Sequence, residues 1–236
     1  MATFKKVKEQ NFMELCRSGT LEEIKAAVAS GINPAAKEVD GGTALFYAAM
    51  RNTPDVVKYL IDCGVDINAK SYDGNTALMW ASTTNTAEVM KLMIDAGADV
   101  NARRYDGLNA LLGAANKNTP DVIKVILDAG ADINSRDSNG MTALLYAAQF
   151  NTPEAVNILI DAGADDVKTN SGANALMLAA RWNTPEMVET LIEAGADARA
   201  TDRDGKTTLD YARENEKLKG SEALKHLTET FMKGEA

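Results

Sequence analysis

The chain has 236 residues, of which 45% are hydrophobic and 25% are charged, the balance of an ordinary folded protein. Its formal charge of −9 disfavours nucleic acid or an anionic membrane as the main target. No stretch approaches the roughly 18 apolar residues of a membrane span, and the N-terminus lacks the apolar run of a signal peptide. We therefore expect a soluble, cytoplasmic protein, or a periplasmic or secreted one if an export signal has been removed.

The first elements are two short predicted helices, Phe12 to Ser18 and Thr20 to Ala29. Thr20 can cap the second helix, and the acidic residues after it place negative charge at the positive end of the helix dipole. Cys16, in the first helix, and Cys63, further along, occupy positions at which the rest of the chain carries Ala or Ser. We interpret both cysteines as small buried hydrophobic residues.

From Asp40 onward the chain repeats itself about every 33 residues. The segment Asp40-Gly41-Gly42-Thr43-Ala44-Leu45 recurs as Asp73-Gly74-Asn75-Thr76-Ala77-Leu78, and altered copies begin at Asp106, Asn139, Ser171 and Asp204. A glycine closes each unit with the same spacing, at Gly31, Gly64, Gly97, Gly130, Gly163 and Gly195. A fixed period of this length predicts stacked supersecondary units, each too small to bury its apolar face alone.

Each unit predicts two helices and a turn. In one unit, Thr43 to Arg51 is an apolar stretch of helix length. It is followed by Asn52-Thr53-Pro54-Asp55, whose threonine can cap a second helix and whose proline is tolerated at the first helical position. The second helix runs from Pro54 to Asp62 with apolar residues at helical spacing, and Gly64 ends it. The next segment closes on an Asp-Gly pair, which is a tight-turn signal.

The motif Gly-Ala-Asp-Val-Asn-Ala at 97–102, with Asp-Gly and Thr-Ala-Leu around it, resembles the ankyrin repeat, in a bacterial-type variant with Asn-Thr-Pro before the second helix. The resemblance implies an all-α fold, an ankyrin-repeat solenoid of helix-turn-helix units with short β-turn fingers. A single array over 1–236 would comprise an N-terminal capping repeat 7–39, full repeats 40–72, 73–105, 106–138, 139–170 and 171–203, and a C-terminal capping repeat 204–236. Asn-Thr replaces the family's histidine before the second helix, so we expect these helices to rely more on apolar packing.

The sequence offers no constellation of catalytic residues. The one histidine, His226, lies on the charged C-terminal helix, and no phosphate loop, metal-ligand spacing or nucleophile motif is present. Aspartates recur once per unit, which is typical of side chains that stabilise turns, at Asp66, Asp99, Asp132, Asp165 and Asp197. We therefore expect a protein that is not an enzyme and needs neither cofactor nor metal.

The resemblance implies that the turn tips and the outer side of the first helices form a concave face that binds partners. We call equivalent positions in successive repeats a column; those assigned to this face are the turn tip and the middle and end of the first helix. All tyrosines and tryptophans except Tyr59 fall in these columns. For the mid-helix tyrosines Tyr47, Tyr146 and Tyr211, the alternative is that they pack against neighbouring units. Because aromatic residues and arginine dominate binding hot spots, we expect a partner to contact Tyr72, Trp80, Tyr105, Tyr146, Phe150, Trp182, Arg51, Arg103, Lys117 and Arg181.

A row of basic residues stands four positions before the turn glycines, at Lys37, Lys70, Arg103, Arg136 and Lys168. This basic row favours a partner with acidic and apolar character, and rim charges chiefly raise the association rate. A row of solvated charges without a partner is an equal alternative. The predicted function is that of a monomeric, non-enzymatic scaffold that binds a protein partner; the alternative is binding of a polyanion or nucleic acid through the basic row.

Gly113 stands in the middle of a predicted first helix, where neighbouring units carry Trp80 and Tyr146. A glycine there costs about 1 kcal/mol relative to alanine. One hypothesis is a notch that accepts a side chain of the partner, in which case Gly113→Leu should weaken binding and stabilise the fold. Simple sequence drift is the alternative.

Overall fold

The computed structural model describes residues 11–117 and 119–233. Within them, no β-strand is present, and two isolated bridges join Lys37 to Thr43 and Thr201 to Thr207. The predicted all-α class is therefore confirmed. The helices are α1 (11–18), α2 (Leu21–Ala29), α3 (Ala44–Arg51), α4 (Pro54–Asp62), α5 (Ala77–Thr84), α6 (Ala87–Asp95), α7 (Ala110–Lys117), α8 (Pro120–Asp128), α9 (Ala143–Phe150), α10 (Pro153–Asp161), α11 (Ala175–Trp182), α12 (Pro185–Glu193), α13 (Thr208–Glu214) and α14 (Glu222–Lys233).

The chain divides into two compact units. The first contains the residues up to Ala114 together with Lys124–Ala131, and the second contains Ala115–Ile123 together with the residues from Asp132 onward. In the first unit α3 packs against α5, and α2 and α6 pack against α4. In the second unit α9 and α13 pack against α11, and α10 and α14 pack against α12. First helices thus stack on first helices and second helices on second helices, as expected for a repeat.

The single array and its repeat boundaries stay predictions. The N-terminal residues 1–10, on which the expectation of no signal peptide rests, lie outside the described residues. So do the outer ends of the two capping repeats, 7–10 and 234–236.

The core of each unit consists of apolar side chains that recur at helical spacing. Helices of 8 or 9 residues are too short to be stable alone in water, so stacking of these side chains must supply most of their stability. The equivalent positions of α9 and α10 are buried in the second unit. In α3 and α4 the buried residues are Ala44, Leu45, Phe46, Ala48, Ala49, Val56, Val57 and Leu60.

Threonine side chains cap second helices, as predicted, both in the Asn-Thr-Pro motif and in its weaker version at Thr86-Ala87-Glu88. The hydroxyl oxygens of Thr86, Thr152 and Thr184 accept hydrogen bonds from the N–H group three residues later, at 3.4, 3.3 and 3.4 Å. The prediction is wrong for Thr53, whose side chain makes no cap hydrogen bond although Pro54 occupies the first turn. A threonine cap typically contributes about 1 kcal/mol to helix stability.

Glycines end the second helices and let successive fingers approach one another. Gly64, after α4, has a φ of 78°, the left-handed conformation that glycine adopts without strain. Gly41 has a φ of 85°, and a Cβ atom there would lie 2.9 Å from the carbonyl oxygen of Lys70 in the next finger. The N–H of Tyr72 donates to the carbonyl oxygen of Asp40 at 2.8 Å. Backbone contacts between fingers therefore position the turn tips.

The asparagine of the Asn-Thr motif links successive repeats by hydrogen bonds, which was not predicted. In the first unit, Nδ2 of Asn85 donates to the carbonyl oxygens of Ala49 at 2.9 Å and Asn52 at 3.3 Å. Asn183 makes the equivalent pair of bonds in the second unit. We call this set the asparagine ladder. The expectation that loss of the family's histidine leaves the helices more dependent on apolar packing is wrong in this respect, because asparagine supplies polar contacts between repeats.

Two adjacent threonines at the start of α13 have opposite environments. The hydroxyl oxygen of Thr207 accepts from the N–H of Asp210 at 3.3 Å and donates to the Asp210 carboxylate at 2.7 Å. Thr208 is fully buried where other repeats carry alanine, and its Oγ1 has no hydrogen-bond partner in the described part of the chain. A buried hydroxyl without a partner lowers stability because its desolvation is not compensated.

We expect Thr208→Val to raise the free energy of unfolding by about 1 kcal/mol, since valine keeps the shape of the side chain and removes the unpaired hydroxyl. The matched variant Thr207→Val should lower it by about 1 kcal/mol because the cap is lost. Urea denaturation followed by circular dichroism measures both changes. A destabilised Thr208→Val variant would contradict the assignment of an unpaired hydroxyl.

Candidate partner-binding surface

The aromatic residues at the turn tips and on the first helices are exposed. In the first unit, Tyr72 and Tyr105 keep 70% and 84% of their surface exposed, and Trp80, in α5, keeps 36%. In the second unit, Phe150 and Trp182, the last residues of α9 and α11, are 56% and 50% exposed. Single exposed apolar residues are ordinary, but these five recur in the columns predicted to contact a partner. Exposed rings at such positions are the side chains from which hot spots are built.

Acidic side chains of the preceding turn hold the mid-helix tyrosines. Tyr47 and Tyr146 are half-buried and Tyr211 is buried, which favours the packing alternative for these residues. Each hydroxyl donates to a carboxylate nine residues earlier: Tyr47 to Glu38 at 2.5 Å, Tyr146 to Asp137 at 2.8 Å and Tyr211 to Asp202 at 2.5 Å.

The hydrogen bond between Tyr211 and Asp202 shifts the pKa values of both partners. The hydrogen bond to Asp202, followed by burial, raises the pKa of Tyr211 to about 12. The same hydrogen bond holds the pKa of the Asp202 carboxyl below its usual value. Burial and then the hydrogen bond to Glu38 raise the pKa of Tyr47. Both tyrosines therefore stay protonated at neutral pH and donate to the turn that precedes their helix.

This pairing was not predicted, although the sequence carries a signal for it. The residue nine positions before a mid-helix tyrosine is acidic, and in the other repeats it is not. Arg104, at this position in one of those repeats, instead hydrogen-bonds the carboxylate of Asp106 in its own finger. An acidic residue stands nine positions before the mid-helix residue only where that residue is tyrosine. A comparison of these two repeat positions would therefore have predicted the hydrogen bond. In the other repeats the pairs are Ser71 with Trp80, Arg104 with Gly113 and Thr169 with Leu178.

A pocket of the first unit lies among the predicted contact residues. Its volume is about 170 Å³. We call it the Tyr72–Trp80 pocket. Its lining includes the turn residues Asp40, Tyr72 and Asp73 and the first-helix residues Tyr47, Met50 and Trp80. Two fingers and two first helices therefore contribute to one concavity.

An arginine stacked on two rings marks the second unit. The guanidinium carbon of Arg181 lies 4.8 Å from the ring centre of Trp182 and 5.2 Å from that of Tyr211, and Nζ of Lys206 lies 5.4 Å from the latter. Such cation–π contacts orient the guanidinium and contribute about 0.5–1 kcal/mol each at exposed sites. Arg181 is itself exposed. The other basic residues predicted to contact a partner, Arg51 and Arg103 in the first unit and Lys117 in the second, are exposed as well.

Part of the basic row connects successive fingers. Nζ of Lys168 donates to the carbonyl oxygen of Thr201 at 3.0 Å, and the guanidinium of Arg136 donates to the carbonyl oxygen of Lys168. Lys37 forms an ion pair with Asp66 at 3.9 Å. Contacts inside each unit thus account for Lys37, Arg136 and Lys168 without a polyanionic ligand.

Four of the five recurring aspartates, Asp66, Asp99, Asp132 and Asp197, accept from the N–H two residues later and so stabilise turns, as predicted. The carboxylate of Asp165 instead accepts from Nδ2 of Asn134. Oδ1 of Asp66 accepts from the N–H of Asn68 at 3.0 Å. Asn68 in turn donates through Nδ2 to the carbonyl oxygen of Gly97 at 2.9 Å and accepts from the N–H of Asp99 at 2.8 Å. The turn of one repeat is thereby bonded to the next.

The histidine and the two cysteines of the chain are His226, Cys16 and Cys63. His226 lies 2.5 Å from a carboxylate oxygen of Glu189. Cys16 is buried, which raises the pKa of its thiol to about 12. Cys63 is only half-buried, so the interpretation as a buried hydrophobic residue is wrong for it.

Within 11–117 and 119–233, no three His, Cys, Asp or Glu side chains are grouped to hold a metal ion. No helix in these ranges combines the length and apolar character needed to cross a membrane.

Comparison with known proteins agrees with the helix pairs and fingers described above. The family model for "Ankyrin repeats (3 copies)" matches residues 12–104, 101–170 and 151–232. No curated protein matches the chain. The family match extends over most of the chain, and the stacked helix pairs and glycine turns are those of the repeat. The chain belongs to the ankyrin-repeat family.

Proposed function

We propose that this protein is a non-enzymatic scaffold that binds a protein partner through the concave face of its ankyrin repeats. Ankyrin repeats generally mediate protein–protein interactions, which sets the class of function. The observation that carries the proposal is the exposure of Tyr72, Trp80, Tyr105, Phe150 and Trp182 in the turn-tip and first-helix columns. Aromatic side chains of this kind bury large areas on binding at a low cost in conformational entropy.

Each of the two units offers a partner chemistry of its own. The first offers the Tyr72–Trp80 pocket. The second offers the exposed guanidinium of Arg181, oriented by stacking on Trp182 and Tyr211. An oriented guanidinium suits a carboxylate of the partner, because both groups are planar and can form two parallel hydrogen bonds.

The test starts from affinity purification with the full chain as bait, followed by calorimetry with each captured protein. Trp80→Ala and Trp182→Ala should each weaken binding of the partner about tenfold or more, the scale of a hot-spot residue. Met232→Ala is the matched control, because Met232 is a large apolar residue with 54% exposure that lies in α14, outside the contact columns. Its affinity for the partner should be unchanged.

Thermal unfolding of each variant separates lost contacts from lost structure. If every captured protein binds the two tryptophan variants as tightly as the unchanged chain, the proposal is wrong. A polyanion ligand would instead show an affinity that falls steeply and log-linearly with salt, whereas aromatic anchoring depends little on salt.

A further inference from the structure

The Tyr72–Trp80 pocket has aromatic walls and an acidic rim. Trp80 and Tyr72 stand at its sides with 36% and 70% of their surfaces exposed, and Met50 of α3 adds apolar surface. The carboxylates of Asp40 and Asp73 belong to the two fingers that border it. With a volume of about 170 Å³, the pocket has the scale of one side chain rather than of a folded element.

Hydrogen bonds set the geometry of the pocket before any ligand binds. The N–H of Tyr72 donates to the carbonyl oxygen of Asp40 at 2.8 Å, which ties the two fingers together. Oδ1 of Asp40 accepts from the N–H of Gly42 at 3.0 Å, which leaves Oδ2 for a ligand. Tyr47 is held by its hydrogen bond to Glu38. Preorganised groups of this kind lose little entropy on binding.

The charges of the pocket select the sign of its ligand. None of the described residues that line it is Lys or Arg, whereas Asp40 and Asp73 both line it. The faces of tryptophan and tyrosine rings attract cations through their quadrupoles. An acidic side chain would meet two carboxylates here, so the expectation of an acidic partner does not apply to this part of the surface.

We propose that this pocket receives an arginine side chain of the protein partner, an inference that rests on the proposed function. The guanidinium stacks on the rings of Trp80 and Tyr72 and donates to the carboxylates of Asp40 and Asp73. The aliphatic stem of the arginine packs on Met50, as long cationic side chains do on apolar surfaces. Arginine suits the site better than lysine, because its planar, weakly hydrated guanidinium can stack and bond a carboxylate at the same time.

The experiment uses the full ¹⁵N-labelled chain and four peptides, acetyl-Gly-Gly-Xaa-Gly-Gly-amide, in which Xaa is arginine, citrulline, lysine or glutamate. The indole N–H signal of Trp80 is identified by its persistence in Trp182→Phe, since the chain has two tryptophans. The arginine peptide should shift this signal with a Kd on the order of 1 mM. Citrulline, a neutral isostere, should bind at least about tenfold more weakly, and lysine should bind more weakly than arginine.

The acidic rim is tested with Asp40→Asn/Asp73→Asn, which keeps an acceptor for the N–H of Gly42. In this variant the preference for arginine over citrulline should fall to about two- to fivefold, the part that the rings of Trp80 and Tyr72 supply. The control Asp95→Asn/Asp128→Asn removes the same charge from exposed second-helix positions of the same unit and should keep the preference for arginine.

Equal binding of arginine and citrulline by the unchanged chain would overturn the proposal, as would an unmoved Trp80 signal or tighter binding of glutamate or lysine. These outcomes are independent of the capture experiment, which tests the proposed function with the partner itself. A partner whose binding depends on Trp80 and Trp182, combined with no preference for arginine, would leave the proposed function standing and remove only this inference.

Discussion

Replacing Asn183 with alanine is expected to lower the free energy of unfolding by about 3 kcal/mol. Asn183 is 9% exposed, and its Nδ2 donates to the carbonyl oxygens of Ala148 at 3.0 Å and Asn151 at 3.2 Å. Its Oδ1 accepts from the N–H of Thr184 at 2.9 Å. Alanine leaves two carbonyl groups and one N–H without these partners, and each buried unsatisfied group costs about 1–3 kcal/mol.

The carbonyl of Ala148 explains why the asparagine matters. Ala148 lies in the last turn of α9, where carbonyl oxygens have no partner within the helix. The asparagine ladder satisfies such carbonyls from the next repeat: Nδ2 of Asn215 donates likewise to the carbonyl oxygens of Ala180 at 3.0 Å and Asn183 at 3.0 Å. Loss of one step should therefore weaken the contact between neighbouring repeats, on which the stability of a stack depends.

Urea denaturation followed by circular dichroism measures the effect of Asn183→Ala. The matched control is Asn157→Ala, on the exposed side of α10, which should change stability by no more than about 0.5 kcal/mol. Asn183→Asp keeps the acceptor for Thr184 but turns a donor into a charged oxygen beside two carbonyls, so it should destabilise at least as much as alanine. Similar stability of Asn183→Ala and Asn157→Ala would show that the ladder contributes little.

The helices could be predicted because their signals are local. The second helix predicted from Pro54 to Asp62 has these ends in the structure, since proline marks its first turn and Gly64 follows its last. The first helix predicted from Thr43 begins one residue later, with Thr43 as the residue before it. Capping and turn preferences depend on neighbours within a few residues, and a sequence displays these directly.

Contacts between repeats were harder to predict, because they join residues about 33 positions apart. The sequence shows Asn52 only as part of a helix-start motif, whereas its Nδ2 donates to the carbonyl oxygen of Cys16, 36 residues earlier. The same holds within the candidate site. Exposure of the turn tips Tyr72 and Tyr105 follows from their place in a finger, but the bond from Tyr146 to Asp137 requires the register between a turn and the following helix.

Gly113→Leu is expected to lower the free energy of unfolding by up to about 2 kcal/mol, the opposite of what an open notch requires. A Cβ atom at Gly113 would lie 2.7 Å from Oγ of Ser82 and 3.0 Å from Cγ2 of Thr83, both on α5. Ser82 is fully buried, and its hydroxyl donates to the carbonyl oxygen of Met79 at 2.8 Å. The helix-propensity gain from removing a glycine is about 1 kcal/mol, less than the typical cost of overpacking a core, about 1–3 kcal/mol.

A double-mutant cycle tests whether the Ser82 contact is the reason for the glycine. Ser82→Ala should be well tolerated, because Ala49, Ala148 and Ala180 occupy the equivalent position in other repeats. Gly113→Ala should then lower the free energy of unfolding of the unchanged chain. In the Ser82→Ala background the loss should be smaller by about 1 kcal/mol or more. Urea denaturation of the four proteins measures this coupling. If Gly113→Ala lowers the free energy of unfolding equally in both backgrounds, contact with Ser82 is not the reason for a glycine at this position. If the loss is smaller without the Ser82 hydroxyl, α5 occupies the space in which a partner's side chain was expected.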